Sequence, residues 1–412
     1  MSTHGAQGTS QGRGRTRARA AIAAIGAGTT IVAMAIGTAA TASAMPAPTA
    51  TTSSVASPAA NTSFPTQGAP YVVSQGIGTA RVAYFPQVPA GATGVHYVVT
   101  ATDVSRGPKG STVTTTTTSN AATLDGLVDG EVYDVTLTVT TDNMGSSAPS
   151  NPLTLRTVPA SPNGLSVAWV KPGEARVAYY PQRYAGAQVL HYTVTATDVT
   201  DPSAPVITET TRSNSAKLTG LIDGDVYQVT ATTTSTVGTS APSKPLTLRT
   251  VPASPGGLYT SWVKPGEARV GYFPQRSAGA DIVNYTMTAT DVTDPSAPVI
   301  TKTTRSNSAV LTGLIDGDVY HVTVTATSTV GTSAPSTTYT LRTVPAAPGG
   351  LSVAWTKPGE ARIAYYPQRS AGAEILNYTL TATDVTDASA PVITATTRSN
   401  SAVLTGLVDG HD

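Results

Sequence analysis

LTGLIDGDVYQVT, residues 218–230, is the stretch whose reading decides the fold. It recurs as LDGLVDGEVYDVT at 124–136 and as LTGLIDGDVYHVT at 311–323, and it begins again as LTGLVDG at 404–410. Leu218 and Leu221 would close one strand onto a core, and Asp223-Gly224 would turn the chain. Tyr227, Val229 and Ala231 would then open a new strand with every second residue inward. A tyrosine just after such a turn can bury its ring and return its hydroxyl to the backbone upstream, a tyrosine corner, which places structural roles on Tyr133, Tyr227 and Tyr320. Nothing in the stretch carries reaction chemistry.

Around it the chain repeats. The corner tyrosines are 94 and 93 residues apart, and Arg81, Arg176, Arg269 and Arg362 follow at steps of 95, 93 and 93. A period near 93 is too long for a solenoid and suits an independent small domain. In the second copy Leu165, Val167 and Trp169 alternate inward before the turn Lys171-Pro172-Gly173-Glu174. Val177 and Tyr179 come next, then the loop 181–187, then a strand with Leu190, Tyr192, Val194 and Ala196 inward. Segments 206–211, 216–221, 226–234 and 246–249 complete about seven strands, and no segment has the 3.6-residue apolar period of a helix. The expected fold is all-β, a string of seven-stranded Greek-key sandwiches.

Here the chain resembles a fibronectin type III array of a secreted bacterial protein, an immunoglobulin-like architecture. The likeness rests on Val158-Pro159, Pro162 and Leu165, on Leu190, Tyr192 and Val194, and above all on Leu218-Thr219-Gly220-Leu221, Gly224, Tyr227 and Val229, followed by Gly238, Ser240 and Pro242. It covers roughly residues 67–412. The family's second-strand tryptophan is replaced by Tyr84, Tyr179, Tyr272 and Tyr365, while Trp169, Trp262 and Trp355 lie one strand earlier and are expected to fill the same core volume. The first copy has Ser74 there and must pack differently.

The expected organisation is a signal peptide at 1–44, a Pro/Ala/Ser/Thr-rich stalk at 45–66, three complete domains at 67–157, 158–250 and 251–343, and a partial fourth at 344–412. Arg13, Arg15, Arg17 and Arg19 make a positive n-region, no charge follows from Ala20 to Ala44, and Ala42-Ser43-Ala44 is a small-x-small cleavage pattern. The competing reading is an uncleaved anchor, since the run is long enough to span a bilayer. The stalk has almost no large apolar residue to bury, and Asn61-Thr62-Ser63 is a glycosylation sequon. The fourth copy stops at His411-Asp412, where the other copies continue into two more strands. It is expected not to fold stably alone, and the chain reads as a fragment or an early-terminated product.

Composition narrows the function. The 412 residues contain no cysteine, which removes disulfides, thiolate metal sites and thiol nucleophiles together. Without the leader arginines, 21 basic residues face 24 acidic ones, so no basic field is left for a phosphate backbone and nucleic acid is not an expected partner. Histidines do not form a site: His96 and His191 share a repeat position that becomes Asn284 and Asn377, and His321 corresponds to Gln228 and Asp134. The acidic pairs Asp198/Asp201 and Asp223/Asp225 lack the spaced oxygen series of a calcium loop and read as turn formers. No catalytic residue, metal or cofactor is expected.

One polar feature recurs with a purpose. Arg183, Arg276 and Arg369 follow Pro-Gln in the loop after the second strand, and Val88 stands there in the first copy, the only one with no domain before it. In the layout the resemblance implies, that loop lies at the pole where the chain comes in, and Asp201, Asp223 and Asp225 lie at the pole where it leaves. These arginines and aspartates are therefore expected to be inter-domain contacts, worth about 0–1 kcal/mol if exposed. Tyr180, Phe273, Tyr366 and Phe85 alternate outward and offer an aromatic row for sugars, although such residues also stabilise sheet faces by themselves. There is no Arg-Gly-Asp or Leu-Pro-x-Thr-Gly motif. The expected role is a non-catalytic, secreted or cell-surface spacer and adhesion rod, monomeric, off the membrane once the leader is cleaved, with a protein or polysaccharide partner. The alternative is an accessory region of an extracellular polysaccharide-degrading enzyme.

Overall fold

The computed structural model describes residues 64–107 and 110–412. The signal-peptide segment, the sequon and stalk residues 45–63 lie outside the described residues. The described chain is all-β and folds as tandem sandwiches, and no helix in it is long and apolar enough to cross a membrane.

In the second repeat the strand Glu174–Tyr180 pairs with Asn163–Lys171 on one side and Ser215–Thr219 on the other. The facing sheet runs Ile207–Thr211, Val189–Asp198, Val226–Ser235, Leu246–Arg249, all antiparallel. Strand Val226–Ser235 alternates half-buried and buried along its whole length, with Tyr227, Val229 and Ala231 inward and threonines packing the pleat on the other side. A fully buried Val or Leu contributes about 1.5–3 kcal/mol, so this strand and its neighbours carry most of the core. The third repeat copies the arrangement element for element. In the first, Gly145–Ser146 and Leu153–Arg156 both lie against Val132–Thr141.

Past Gly238 the prolines cannot extend a ladder, and serine side chains stand in for backbone. Ser240 Oγ accepts from Thr233 N and Ser243 Oγ accepts from Ala231 N, each at 3.0 Å. The corner tyrosines behave alike in three repeats: Tyr133, Tyr227 and Tyr320 are buried, and their hydroxyls accept from Val128 N, Ile222 N and Ile315 N at 2.9, 2.9 and 3.0 Å.

Two expectations about inward faces fail for one reason. Trp169 is 36% exposed because a bulge at Ala168 slips the register between Arg176 and Val177, whereas Val167 pairs with buried Val177 and keeps the inner side, 37% exposed on an edge strand of the sheet. A one-residue slip turns side chains to the opposite face. Trp169 and Trp262 thus pair with outward-facing Arg176 and Arg269, and Val170 and Val263 reach the core instead. Leu190 is likewise displaced by a bulge between Val189 and His191, and Val189 packs in its place. The core volume expected of the tryptophans belongs to Tyr84, Tyr179, Tyr272 and Tyr365. These rings lie 5.0–5.5 Å from Tyr97, Tyr192, Tyr285 and Tyr378, and their hydroxyls donate to the carbonyls of Ser119, Ser213, Ser306 and Ser399.

In the fourth repeat a three-stranded sheet, Gly349–Lys357, Glu360–Tyr366 and Ser401–Thr405, faces the pair Tyr378–Ala382 and Ile393–Thr397. Its bulge falls at Thr356, one turn of the pleat later, so Trp355 pairs with buried Ala361 and points to the inner side. Its buried cluster is Tyr365, Leu380 and Leu404, and a cavity of about 530 Å³ opens between the sheets beside Leu351, Val353 and Ile363.

Candidate functional site at the joints

Each junction between successive repeats is built from the turn of one repeat, the short link, and the Pro-Gln-Arg loop of the next. Gly224 has φ +86°, and a Cβ there would stand 2.8 Å from the carbonyl oxygen of Arg276. Only glycine suits both demands. Its amide donates to Val251 O at 2.8 Å, its carbonyl accepts from Ala278 N at 2.9 Å, and Ala253 N donates to Arg276 O at 2.8 Å. Ala278 holds φ +54°, an uncommon conformation for a residue with a Cβ, and its carbonyl accepts from the Arg249 guanidinium. The same set appears around Gly130, Val158, Ala160, Arg183 and Ala185, and again around Gly317, Val344, Ala346, Arg369 and Ala371.

The arginine side chain then reaches a carboxylate that the sandwich has buried. Arg276 Nη1 lies 2.7 Å from Asp225 Oδ1, and Arg369 Nη1 lies 2.8 Å from Asp318 Oδ1. Arg183 Nη1 donates to Glu131 Oε1 at 2.7 Å. The guanidinium side chains are 59–63% exposed and the carboxylates 0–1%. The backbone of each acid is anchored as well: Asp225 N donates to Thr250 Oγ1 at 3.0 Å, and that hydroxyl donates to Asp225 O at 2.8 Å.

The electrostatics differ between joints. In the first, Arg106 adds two hydrogen bonds to Glu131 Oε1, at 2.9 and 3.1 Å, and lies 3.6 Å from Asp103. Burial raises the pKa of Glu131, but the bonds from Arg106 and Ser105 and the charges of Arg183 and Arg106 outweigh it and hold the carboxyl below its ordinary range. In the second joint Asp201 occupies the place of Arg106. Arg276 pairs with Asp225, beside the charges of Asp198 and Asp201; Asp198 Oδ2 and both Asp225 carboxylate oxygens lack a hydrogen-bond partner among the described residues, as do Asp103 Oδ2 and Glu131 Oε2 in the first joint. Burial raises Asp225, Arg276 lowers it, and the charges of Asp198 and Asp201 raise it again, leaving the carboxyl above its ordinary range. Asp318 is raised in the same way, by burial and by Asp291 and Asp294 against Arg369.

Residues 157–249 match the model of the fibronectin type III domain. The second repeat is a fibronectin type III domain. Many solved structures match the chain; one, the crystal structure of chicken CNTN1 FN1–FN3 domains, is 14% identical with a TM-score of 0.26, covering 68% of this chain and 98% of that one. No curated protein matches. The first and third repeats share the corner of the second, and the third its strand order.

Of the residues singled out in the sequence, Arg183, Arg276, Arg369 and Asp225 sit at the joints in ion-pair contact. Asp223 does not. Its Oδ1 accepts from Gly173 N at 2.8 Å, 50 residues back in its own domain, as Asp129, Asp316 and Asp409 do with Gly78, Gly266 and Gly359. Asp223 and Asp225 flank Gly224, whose left-handed backbone sends the two side chains apart. Asp201 accepts from Ser203 Oγ and Ser203 N at 2.6 and 3.0 Å; those bonds, with a smaller contribution from Arg276, hold its carboxyl below the usual range. It shapes the joint by charge and makes no direct bond across it. Glu131, Asp318, Arg106 and the arginines Arg156, Arg249 and Arg342 were not singled out. A signal for the first two was present: a carboxylate follows the Asp-Gly turn in all three complete copies.

Proposed function

We propose that the chain is a non-catalytic spacer of a secreted or cell-surface protein, in which the joints set the orientation of successive fibronectin type III repeats. The observation that carries the reading is the threefold recurrence of one joint, with its glycine turn, three backbone hydrogen bonds and arginine–carboxylate contact. A chain selected only to link independent domains needs no such repetition, whereas a spacer that transmits a distance does. Small-angle X-ray scattering on residues 64–412 tests it. The parent protein should give one narrow set of inter-domain distances, and the triple variant Arg183→Ala, Arg276→Ala, Arg369→Ala a broader one. Equally broad distributions in both would remove the proposal.

A further inference from the structure

We propose that the outer face of the three-stranded sheet in the second and third repeats binds a linear polysaccharide carrying carboxylate groups. The bulges that turn Trp169 and Trp262 out of the core place each beside an arginine on that face. Because side chains alternate along a strand, Arg269, Gly271 and Phe273 share the face, as do Arg176, Ala178 and Tyr180, a reach of about 13 Å. The third repeat is the more fully built. A Cβ on Gly271 would stand 2.4 Å from the Tyr259 ring, so its glycine lets that ring lie across the sheet, 5.7 Å from Phe273. Trp262 at the other end lies within 5.6 Å of Lys264 Nζ and 5.9 Å of the Arg269 guanidinium carbon.

The charges on this face select the ligand. Lys264 is tied to Glu267 at 3.0 Å, and Lys171 and Lys217 are both tied to Glu174, at 2.8 and 2.9 Å. Among the described residues Arg269 and Arg176 have no carboxylate partner; their side-chain hydrogen bonds go to Ser308 Oγ and Ser215 Oγ. A guanidinium so placed presents its planar fork to an incoming carboxylate. The flanking rings, 69% exposed at Tyr180 and 60% at Phe273, offer electron-rich faces to the apolar C–H face of a sugar. Alternating rings and a free cation along an extended strip fit a polymer of uronic acids. The first repeat keeps Tyr71, Arg81 and Phe85 and the fourth keeps Arg362 and Tyr366, so contacts can repeat along one polymer.

Affinity electrophoresis of the full chain through polygalacturonate, with its fully methyl-esterified form as the uncharged comparator, tests the proposal. Retardation by the acid form alone is expected. The double variant Arg176→Gln, Arg269→Gln and the double variant Trp169→Ala, Trp262→Ala should each weaken it by about tenfold, the scale of one good charge-assisted or stacking contact. Phe273→Ala, at a more exposed position, should weaken it less, and Lys302→Gln, on the facing sheet, not at all. Thermal melts establish that each variant is folded. No retardation, equal retardation by the esterified polymer, or equal losses from Arg269→Gln and Lys302→Gln would overturn it.

Discussion

The joint after the first repeat and the two that follow it share a backbone and differ in charge. Around Gly130 two arginines, Arg106 and Arg183, converge on Glu131, with Asp103 beside them. Around Gly224 one arginine faces Asp198, Asp201 and Asp225, and around Gly317 one faces Asp291, Asp294 and Asp318. The fourth repeat goes further and replaces the acid by His411, whose Nδ1 lies 2.9 Å from Asp384 Oδ2. The constant part is therefore the steric and hydrogen-bonded frame, and the charges within it can be redistributed. A buried carboxylate is retained in both kinds of joint, although only in the first do its cationic partners outweigh burial.

The largest effect should come from the part the joints share. Gly130→Ala and Gly224→Ala each force a Cβ onto a positive φ and within 2.6 and 2.8 Å of the next domain's backbone. Each should cost about 2 kcal/mol or more in chemical denaturation of the corresponding two-domain segment. A cost at one joint only would break the equivalence. Neutralising the acid should then separate the joints. Glu131→Gln loses bonds from two guanidiniums and should destabilise by about 1 kcal/mol, kept small by their exposure to water. Asp225→Asn removes a repelled charge and should be neutral or mildly stabilising.

Acidity should pull the joints in opposite directions. Glu131 is held below its ordinary range, so its contribution is complete above the unfolded value and is lost as pH falls through the lowered folded one. Asp225 is raised, facing Asp198, Asp201, Tyr227 and Arg276, so the folded joint binds the extra proton and the second joint gains as pH falls toward the ordinary aspartate value. Unfolding of segments 67–250 and 158–343, followed from neutral pH down through and below the ordinary carboxyl values, should show these contrary slopes. The smallest effect is expected at Ala278. Ala278→Gly relieves its positive φ but loosens the unfolded chain, a net gain of about 0.5 kcal/mol.

The strands were legible where alternation is strict, as in Val226–Ser235, because period two admits one reading. The bulges were not. Val167-Ala168-Trp169-Val170 alternates acceptably in either register, and only the partner strand decides which residue is left over. At the joints the arginines could be found because they recur and are missing from the first copy. The choice between Asp223 and Asp225 could not be made from sequence, since two carboxylates beside one glycine differ only through a dihedral angle. Arg106 carries no repeat signal, because the later copies have Asp201, Asp294 and Asp387 at its position.

The most direct test of the joint is a pair of double-mutant cycles on residues 158–343. Combining Arg276→Ala with Asp225→Ala should reveal a coupling of about 0.5–1 kcal/mol, while Arg276→Ala with Asp223→Ala should reveal none. Zero coupling to Asp225, or equal coupling to Asp223, would contradict the account.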